Sequence, residues 1–412
     1  MPSTDHPTHE SVLQALHAGI DIPEEIYQEI VAKYQSLGGW LDRDGSSIKQ
    51  YDPFVAPQGS VLLGAANRPI GDNDEYDVDL ICRLMTAKRE ITQKALKASV
   101  GREVLAYATA HSMKHKPEDK RRCWTLKHAD DRRFHMDVLP CVPDADCYRK
   151  RLIEGGHRAI ADNVAITDQA IAITDKTHPN YERLNSDWPT SNPLGYAAWF
   201  REQMAERLLI QKLELMERVD IYSKIEDIPN HKVKTTLQKA IQLLKRHRDT
   251  MFADDPEHKP ISIIITTLSA LAYGNEGTLV GALAVILQRM DEFIENRRGI
   301  TWVSNPVNPE ENFADKWVEE PTKEERFYRW LTAARRDFGA YLNGSRPEHV
   351  PPALAKRLDS GLVEKVVDAI RPATKIAAPA IVTGATPSRT DDMVRQVRER
   401  GMETSAWCAE TD

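Results

Sequence analysis

The sequence predicts an α/β (α+β) protein, with a mixed β-sheet in the first half of the chain and a helical lobe in the second. Short stretches in the first half alternate apolar and polar residues, which is typical of half-buried strands. After a turn-rich segment at 185–193, apolar residues recur at the spacing of one helix face. The 412 residues suffice for two or three domains. We expect a sheet-bearing core over 1–200, a helical lobe over 201–345 and a partly helical or flexible C-terminal extension over 346–412.

The core is predicted to begin with a bracing helix. Asp21 and Pro23 precede apolar residues at helical spacing, and Gly38-Gly39 follows them, which predicts a capped amphipathic helix that ends at the glycines. The other core elements are predicted as turn, strand, loop and strand over 58–84, a helix over 87–105, and strands over 123–126, 133–140 and 170–174.

The second half is predicted to be helical. Long helices are expected over 196–219, 233–251, 261–273, 279–294 and 324–342. Beyond about residue 345, prolines and alanines predict a weaker fold, with one helix over 352–370 and a short charged helix over 391–400.

The composition of the chain indicates the cellular compartment in which the protein acts and the kinds of partner it can bind. The formal net charge of −7 gives no sign of a surface built to neutralise a nucleic-acid backbone. The five cysteines are odd in number and widely spread, and the start lacks a secretory signal, so we expect a cytoplasmic protein. The longest apolar runs, 261–273 and 279–287, are shorter than the ~20 residues that span a bilayer, and they predict buried helices and no membrane partner.

Three aspartates stand on predicted strands. Asp77 and Asp79 share one strand face, and Asp137 lies on a second alternating strand. Clustered carboxylates repel one another unless a divalent cation offsets their charge, and hard oxygen ligands favour Mg²⁺, with Mn²⁺ as a substitute. The acids therefore predict a site for two metal ions that assists nucleotide chemistry. For Asp77 and Asp79 alone, an exposed strand edge is the simpler interpretation.

A Gly-Ser pair lies upstream of these acids. Gly59 lets backbone approach a phosphate, and the Ser60 hydroxyl can donate to it, although such a pair alone is usually a turn. Zinc is not expected, because the nearby cysteines and histidines lack the close pairs of structural zinc sites. His135, beside Asp137, either contacts substrate or fills space at the edge of a cleft.

These motifs carry a family resemblance over about residues 20–345. Gln58-Gly59-Ser60, Asp77-Val78-Asp79 and Asp137, followed by a helical half, resemble the bacterial CD-NTases, relatives of cyclic GMP-AMP synthase and oligoadenylate synthetase in the DNA-polymerase-β-like superfamily. The resemblance implies a polymerase-β-like nucleotidyltransferase palm with a mixed sheet and an oligoadenylate-synthetase-like helical lobe. Segments 188–200, 243–248, 260–262 and 305–309 are also similar to family segments.

The resemblance also implies roles for particular residues. Asp77 and Asp79 would bind both metals, and Asp137 would bind the metal that activates the attacking ribose hydroxyl. Lys245 and Ser262 would contact the donor triphosphate together with Gly59 and Ser60. Alternatively, Lys245 complements the dipole in the last turn of its helix and Ser262 is an N-cap.

One position departs from several eukaryotic relatives. They place an aromatic residue, which stacks on a base, directly after the serine that corresponds to Ser262, whereas this chain has Ile263. Tyr196 and Trp199 are candidates for the stacking role, or they belong to the core.

By resemblance, the protein joins two or three NTPs, with ATP and GTP favoured, into a cyclic oligonucleotide in antiphage signalling and releases pyrophosphate. One alternative is a linear, template-independent polymerase of the oligoadenylate or poly(A) type. Another is a catalytically idle scaffold that senses nucleotides. A regulatory or conjugating protein partner at the C-terminus is also suggested by relatives.

Overall fold

The computed structural model describes residues 7–71, 75–128, 134–219 and 233–370. Its main sheet has seven strands in the order β1-β2-β5-β4-β3, with β6 paired to β5 and β7 to β6. The strands of this sheet are β1 (Phe54–Pro57), β2 (Tyr76–Arg83), β3 (Glu118–Asp119), β4 (Trp124–His128), β5 (Phe134–Pro143), β6 (Ile171–Ile173) and β7 (Thr190–Ser191). Only the β2–β5 pair is parallel among these strands, so the predicted mixed sheet is confirmed.

Four short strands form two separate hairpins in the second half. They are β8 (Glu295–Arg297), β9 (Ile300–Trp302), β10 (Ser304–Asn305) and β11 (Asn308–Asn312).

Helices flank the main sheet and make up most of the second half. Those before residue 205 are α1 (His9–Ile20), α2 (Glu24–Asp42), α3 (Gly59–Leu62), α4 (Gln93–Ala110), α5 (Ala145–Glu154), α6 (Arg158–Ala161), α7 (Val164–Thr167) and α8 (Pro193–Glu202). The later ones are α9 (Ala205–Val219), α10 (Thr236–Met251), α11 (Ser262–Ala272), α12 (Leu279–Arg289), α13 (Asp315–Glu319), α14 (Pro321–Leu342), α15 (Pro352–Leu358) and α16 (Ser360–Ile370).

The two central strands bury one face completely. Val78 and Leu80 on β2, and Met136 and Val138 on β5, are fully buried in a core that also holds side chains of α2 and α4. This apolar back leaves the alternate residues of both strands on the opposite face, where the predicted acids stand.

A second core joins the helical half to both ends of the described chain. Leu13 and Leu16 of α1 lie in the same cluster as Leu244 of α10 and Leu354 of α15. The proposed division at 200 and 345 remains a prediction, and the predicted helix at 391–400 lies outside the described residues. No helix in the described ranges combines the length and the apolar character needed to cross a bilayer.

Several predicted helix boundaries are wrong, among them those of the helix predicted over 87–105, which spans Gln93–Ala110 as α4. Helix α2 continues through Gly38-Gly39 to Asp42, because Leu37 and Leu41 extend its buried stripe and offset the cost of about 1 kcal/mol for each glycine. The helix predicted over 196–219 is divided between α8 and α9. The one predicted over 352–370 is interrupted at Asp359, which has φ = 91°.

Among the described residues, six helices were not predicted at all, namely α1, α3, α5, α6, α7 and α13. Helix α1, capped by Thr8, precedes the bracing helix, and α3 begins at Gly59, where only a turn was expected.

Candidate active site

The parallel pairing of β2 and β5 places four polar side chains opposite the buried face. Asp77 lies beside His135 in the register, and Asp79 lies beside Asp137. Ligand atoms of Asp77, His135 and Asp137 all lie within 4.8 Å of one another. The structure therefore brings the predicted acids to one face of the sheet and adds His135 to them.

His135 is held between two carboxylates. Its Nε2 lies 3.1 Å from Oδ1 of Asp77, and its Nδ1 lies 3.2 Å from Oε2 of Glu75. The hydrogen bond to Asp77, together with the charges of Asp77 and Asp137, raises the pKa of His135 to about 9. The imidazole is thus part of the acidic cluster and does more than fill space at the edge of the cleft.

Asp79 is half-buried and lies outside the group of three whose ligand atoms converge. Burial, and then the negative charges of Asp77 and Asp137, raise its pKa to about 7. The site therefore holds more negative charge than its protein neighbours offset. A divalent cation would supply the missing charge, so these residues fit a Mg²⁺ or Mn²⁺ site.

Asp137 is fixed from the neighbouring strand β4. Thr125 donates its hydroxyl to Oδ1 of Asp137 at 2.5 Å. The nearby Cys123 stays a thiol, because burial and the charge of Asp137 raise its pKa to about 11. One oxygen of Asp137 thus has a fixed donor.

The backbone conformation at Gly59 and its closeness to Asp79 both exclude a larger residue at this position. It has φ = +59°, and a Cβ added there would lie 2.5 Å from Oδ2 of Asp79. The strand end before it is tied to β2, since the Gln58 amide donates to the Asp79 carbonyl at 2.8 Å. The absent side chain keeps Gly59 and Ser60 close to the acids.

Lys245 is buried in the middle of α10, which continues to Met251. The suggested position in a last turn is therefore wrong. Its Nζ donates to the Ala65 carbonyl at 2.8 Å, and burial lowers its pKa to about 8. Lys245 thus ties α10 to the segment that follows α3.

Ser262 is the first residue of α11, and Ile261 occupies the N-cap, so the N-cap alternative for Ser262 is wrong. Arg248 donates to the Ser262 hydroxyl at 2.9 Å and to the Pro260 carbonyl at 2.8 Å. The serine is therefore positioned by a buried guanidinium of α10.

One cleft collects most of the predicted residues. A cavity of about 770 Å³ is lined by six of the seven, namely Gly59, Ser60, Asp77, Asp79, Lys245 and Ser262. Asp137 lines an adjoining cavity of about 540 Å³ together with Thr125 and His135.

Further basic residues line the larger cleft, and sequence reasoning did not assign them to the site: Arg68, Arg246, Arg248 and Lys259. The basic run 245–248 was a visible signal for two of them. Arg68 and Lys259 gave none, because only the fold brings their segments to the cleft.

The two candidate stacking residues belong to the core. Tyr196 and Trp199 are buried in the helical half, and the Tyr196 hydroxyl bonds to that of Thr267 at 2.8 Å. The aromatic residues that line the cleft are Tyr76 and Phe252.

Comparisons with known proteins agree with this architecture. Residues 53–140 match the family described as cyclic GMP-AMP synthase DncV-like, nucleotidyltransferase domain. The c-di-GMP synthase of Roseivirga ehrenbergii is 28% identical over 326 residues, which are 78% of this chain and 76% of that protein. The cyclic dinucleotide synthase CdnG of Bradyrhizobium diazoefficiens is 23% identical over 409 residues, which are 92% and 91% of the two chains.

Solved structures show the same fold. The structure of Bradyrhizobium diazoefficiens CdnG in complex with GTP has a TM-score of 0.64 at 20% identity and covers 88% of this chain and 98% of that chain. The E. coli MS115-1 CdnC:HORMA-deltaN complex gives 0.57 at 12% identity, with 87% and 99% covered. The sheet and the helical half thus form the same fold as CdnG.

Proposed function

We propose that the chain is a bacterial CD-NTase, like the proteins it resembles, and that it joins two nucleoside triphosphates into a cyclic dinucleotide and releases pyrophosphate at each of two steps. The observation that supports this most is the register of β2 on β5, which presents Asp77, Asp79 and Asp137 beside Gly59 and Ser60. In each step, a ribose hydroxyl oxygen bonds to the α-phosphorus of a triphosphate, and the bond from that phosphorus to pyrophosphate breaks.

Two Mg²⁺ ions, with Mn²⁺ as a substitute, are proposed as cofactors held by Asp77, Asp79 and Asp137. Bound divalent ions would favour ionisation of the attacking hydroxyl and neutralise charge on the leaving pyrophosphate. The hydroxyl proton would pass towards Asp137, whose Oδ1 is already engaged by Thr125.

The triphosphate would be held from both sides of the cleft. Gly59 allows backbone to approach it, and the Ser60 and Ser262 hydroxyls can donate to its oxygens. Lys245 adds a cation. Among the described residues, its Nζ donates a hydrogen bond to the Ala65 carbonyl and forms no ion pair. Such donors act by positioning the phosphates and stabilising their charge.

We propose GTP as a substrate, with ATP as the second candidate. One relative is named a c-di-GMP synthase, and CdnG has been solved with GTP. Incubating the purified protein with each pair of labelled NTPs, and identifying products by mass and nuclease digestion, tests this. A phosphatase-resistant and exonuclease-resistant dinucleotide is expected with GTP.

The same experiment separates the alternatives. A ladder of phosphatase-sensitive products would indicate a linear polymerase. Binding of NTP without pyrophosphate release, measured in the presence of Mg²⁺ and of Mn²⁺, would indicate an idle scaffold.

We further propose that the protein acts in the cytoplasm, in antiphage signalling, under control of a partner protein. The structure of CdnC in a complex with HORMA-deltaN supports a protein as the regulatory partner. A conjugating partner would instead act on the C-terminal residues, which lie outside the described ranges. Loss of conjugates, but not of synthesis, on removing residues 371–412 would support conjugation at these residues, and unchanged conjugates would refute it.

A further inference from the structure

The acidic cluster contains a histidine whose two ring nitrogens have different neighbours. Nδ1 of His135 lies 3.2 Å from Oε2 of Glu75, and Nε2 lies 3.1 Å from Oδ1 of Asp77. A hydrogen bond from Nδ1–H to Glu75 leaves Nε2 directed to the carboxylates of β2 and β5.

We propose that Nε2 of His135 is itself a ligand of the divalent ion at Asp77 and Asp137, and that this nitrogen makes the site prefer Mn²⁺ over Mg²⁺. Glu75 is a positioning residue for this ligand. The inference rests on the proposed metal-dependent function and adds a fourth residue, beyond the three aspartates, to the site.

The spacing of the ligand atoms suits this role. Two ligands at right angles around an ion, with bonds of about 2.1 Å, lie about 3.0 Å apart. The observed Nε2–Oδ1 separation between His135 and Asp77 is 3.1 Å, and the group with Asp137 stays within 4.8 Å. No side chain has to move far for the three atoms to share one ion.

The surroundings of the ring also match those of metal-binding histidines. Such histidines usually donate the second ring N–H to a carboxylate, which fixes the tautomer and the orientation. Glu75 occupies that position here, at the start of the segment that continues into β2. A histidine that only paired with Asp77 would not need a second carboxylate on its far nitrogen.

The preference of the site for Mn²⁺ over Mg²⁺ follows from the chemistry of its ligands. Mg²⁺ strongly favours oxygen ligands, whereas imidazole nitrogen suits first-row transition ions. An Asp₂His set should therefore bind Mn²⁺ more tightly than an all-oxygen set would, with little gain for Mg²⁺.

The direct test is electron spin-echo spectroscopy of the protein loaded with Mn²⁺ and no nucleotide. The wild-type protein is expected to show nitrogen coupling to the manganese, and His135→Asn should remove it while retaining an oxygen donor. Absence of nitrogen coupling in the wild-type protein with bound Mn²⁺ would overturn the inference without any variant.

Binding constants give the second readout. By calorimetry, His135→Asn should weaken Mn²⁺ binding about 10-fold and Mg²⁺ binding about 2-fold or less. An equal loss for both ions would show that His135 only orients Asp77. The control is His157→Asn, which should leave the binding constants of both ions unchanged. His157 pairs with Glu310 at 3.0 Å and lies outside the acidic cluster.

Failure of this inference and failure of the proposed function look different. Cyclic product formed by a protein without nitrogen coupling would leave the function intact and remove the histidine ligand. Nitrogen coupling in a protein that releases no pyrophosphate would support the histidine ligand and contradict the proposed function.

Discussion

Nη1 of Arg248 donates a hydrogen bond of 2.9 Å to the hydroxyl oxygen of Ser262, across the junction between α10 and α11. The guanidinium is buried, and its other nitrogens bond to Asp249. Because the serine oxygen accepts from arginine, the serine hydrogen remains available as a donor to an anion in the cleft.

Arg248→Lys should therefore weaken nucleotide binding more than it slows chemistry. A lysine lacks the planar fork that reaches Ser262, Pro260 and Asp249 together, so Ser262 would lose its fixed orientation. We expect KM for NTP to rise about 10-fold with kcat little changed, measured as initial rates of pyrophosphate release.

Arg335→Lys is the matched control, because Arg335 also bonds to a carbonyl and to an aspartate, Asp291, but lies outside the cleft. It should leave KM unaltered. If Arg248→Lys and Ser262→Ala raised KM independently, with fully additive effects, the arginine would not act through the serine.

Gly59→Ala should abolish activity at a modest cost in stability. The new methyl group would meet Oδ2 of Asp79 at 2.5 Å and displace either the carboxylate or the backbone of α3. Gly156 is a matched control, because it also has positive φ, at +82°, but has nothing within 4 Å of an added Cβ.

Both glycine variants should lose about 1 kcal/mol in free energy of unfolding from the strained backbone. Only Gly59→Ala should lose pyrophosphate release, by at least about 100-fold, given the close positioning that such catalysis needs. Comparable activities in the two variants would contradict the assigned role of Gly59.

The faces of the central strands were predictable because side-chain direction in a strand alternates residue by residue. Val78 and Met136 face the core as expected, and Asp77 and Asp137 face the other side. The register between the strands was not predictable, because it depends on pairing between segments far apart in sequence. His135 could therefore be placed beside Asp137 from sequence, but not against Asp77.

Errors arose where packing outweighed local preference. Gly38-Gly39 stays helical because the buried stripe continues past it, and Lys245 is buried within α10 instead of lying in the last turn of that helix. The contact between Arg248 and Ser262 depends on how α10 meets α11, and neither segment encodes that alone.

Asp79→Asn should stabilise the metal-free protein while removing activity. The pKa of Asp79 is raised to about 7 from an ordinary value near 3.8, so the folded state holds this proton more tightly than the unfolded state does. The resulting stabilisation is lost as pH rises through about 7. At pH 8 without metal, the neutral amide should add about 1 to 3 kcal/mol to the free energy of unfolding, with a smaller gain at pH 5.

Urea unfolding in a chelator measures this difference, and Asp146→Asn, at an exposed acid, is the control. Adding Mg²⁺ should reduce the difference in free energy of unfolding between Asp79→Asn and the wild-type protein, because the ion stabilises the wild-type protein.

The double variant Asp77→Asn with Asp79→Asn should release no pyrophosphate yet unfold cooperatively. Retained turnover in it would refute the site.

His17 should make the protein sensitive to acid. Its Nε2 lies 2.8 Å from Oε1 of Gln242, whose amide nitrogen donates to Asp21 and to the Ala66 carbonyl, so Nε2 is the donor. Burial lowers the pKa of His17 to about 4. The unfolded chain takes up a proton below about pH 6.5, whereas the folded protein does not until about pH 4. Stability is therefore lost as pH falls through this window, by up to about 3 kcal/mol.

His17→Gln keeps an amide donor for Gln242 but does not titrate, so its free energy of unfolding should fall less steeply between pH 6.5 and 4. The slope should not vanish, because burial also lowers the pKa of His247 to about 4. Urea unfolding at several pH values measures both slopes, with exposed His115→Gln as the control. Parallel curves for the wild-type protein and His17→Gln would mean that His17 takes up its proton equally in the folded and unfolded states, contrary to its burial between α1 and α10.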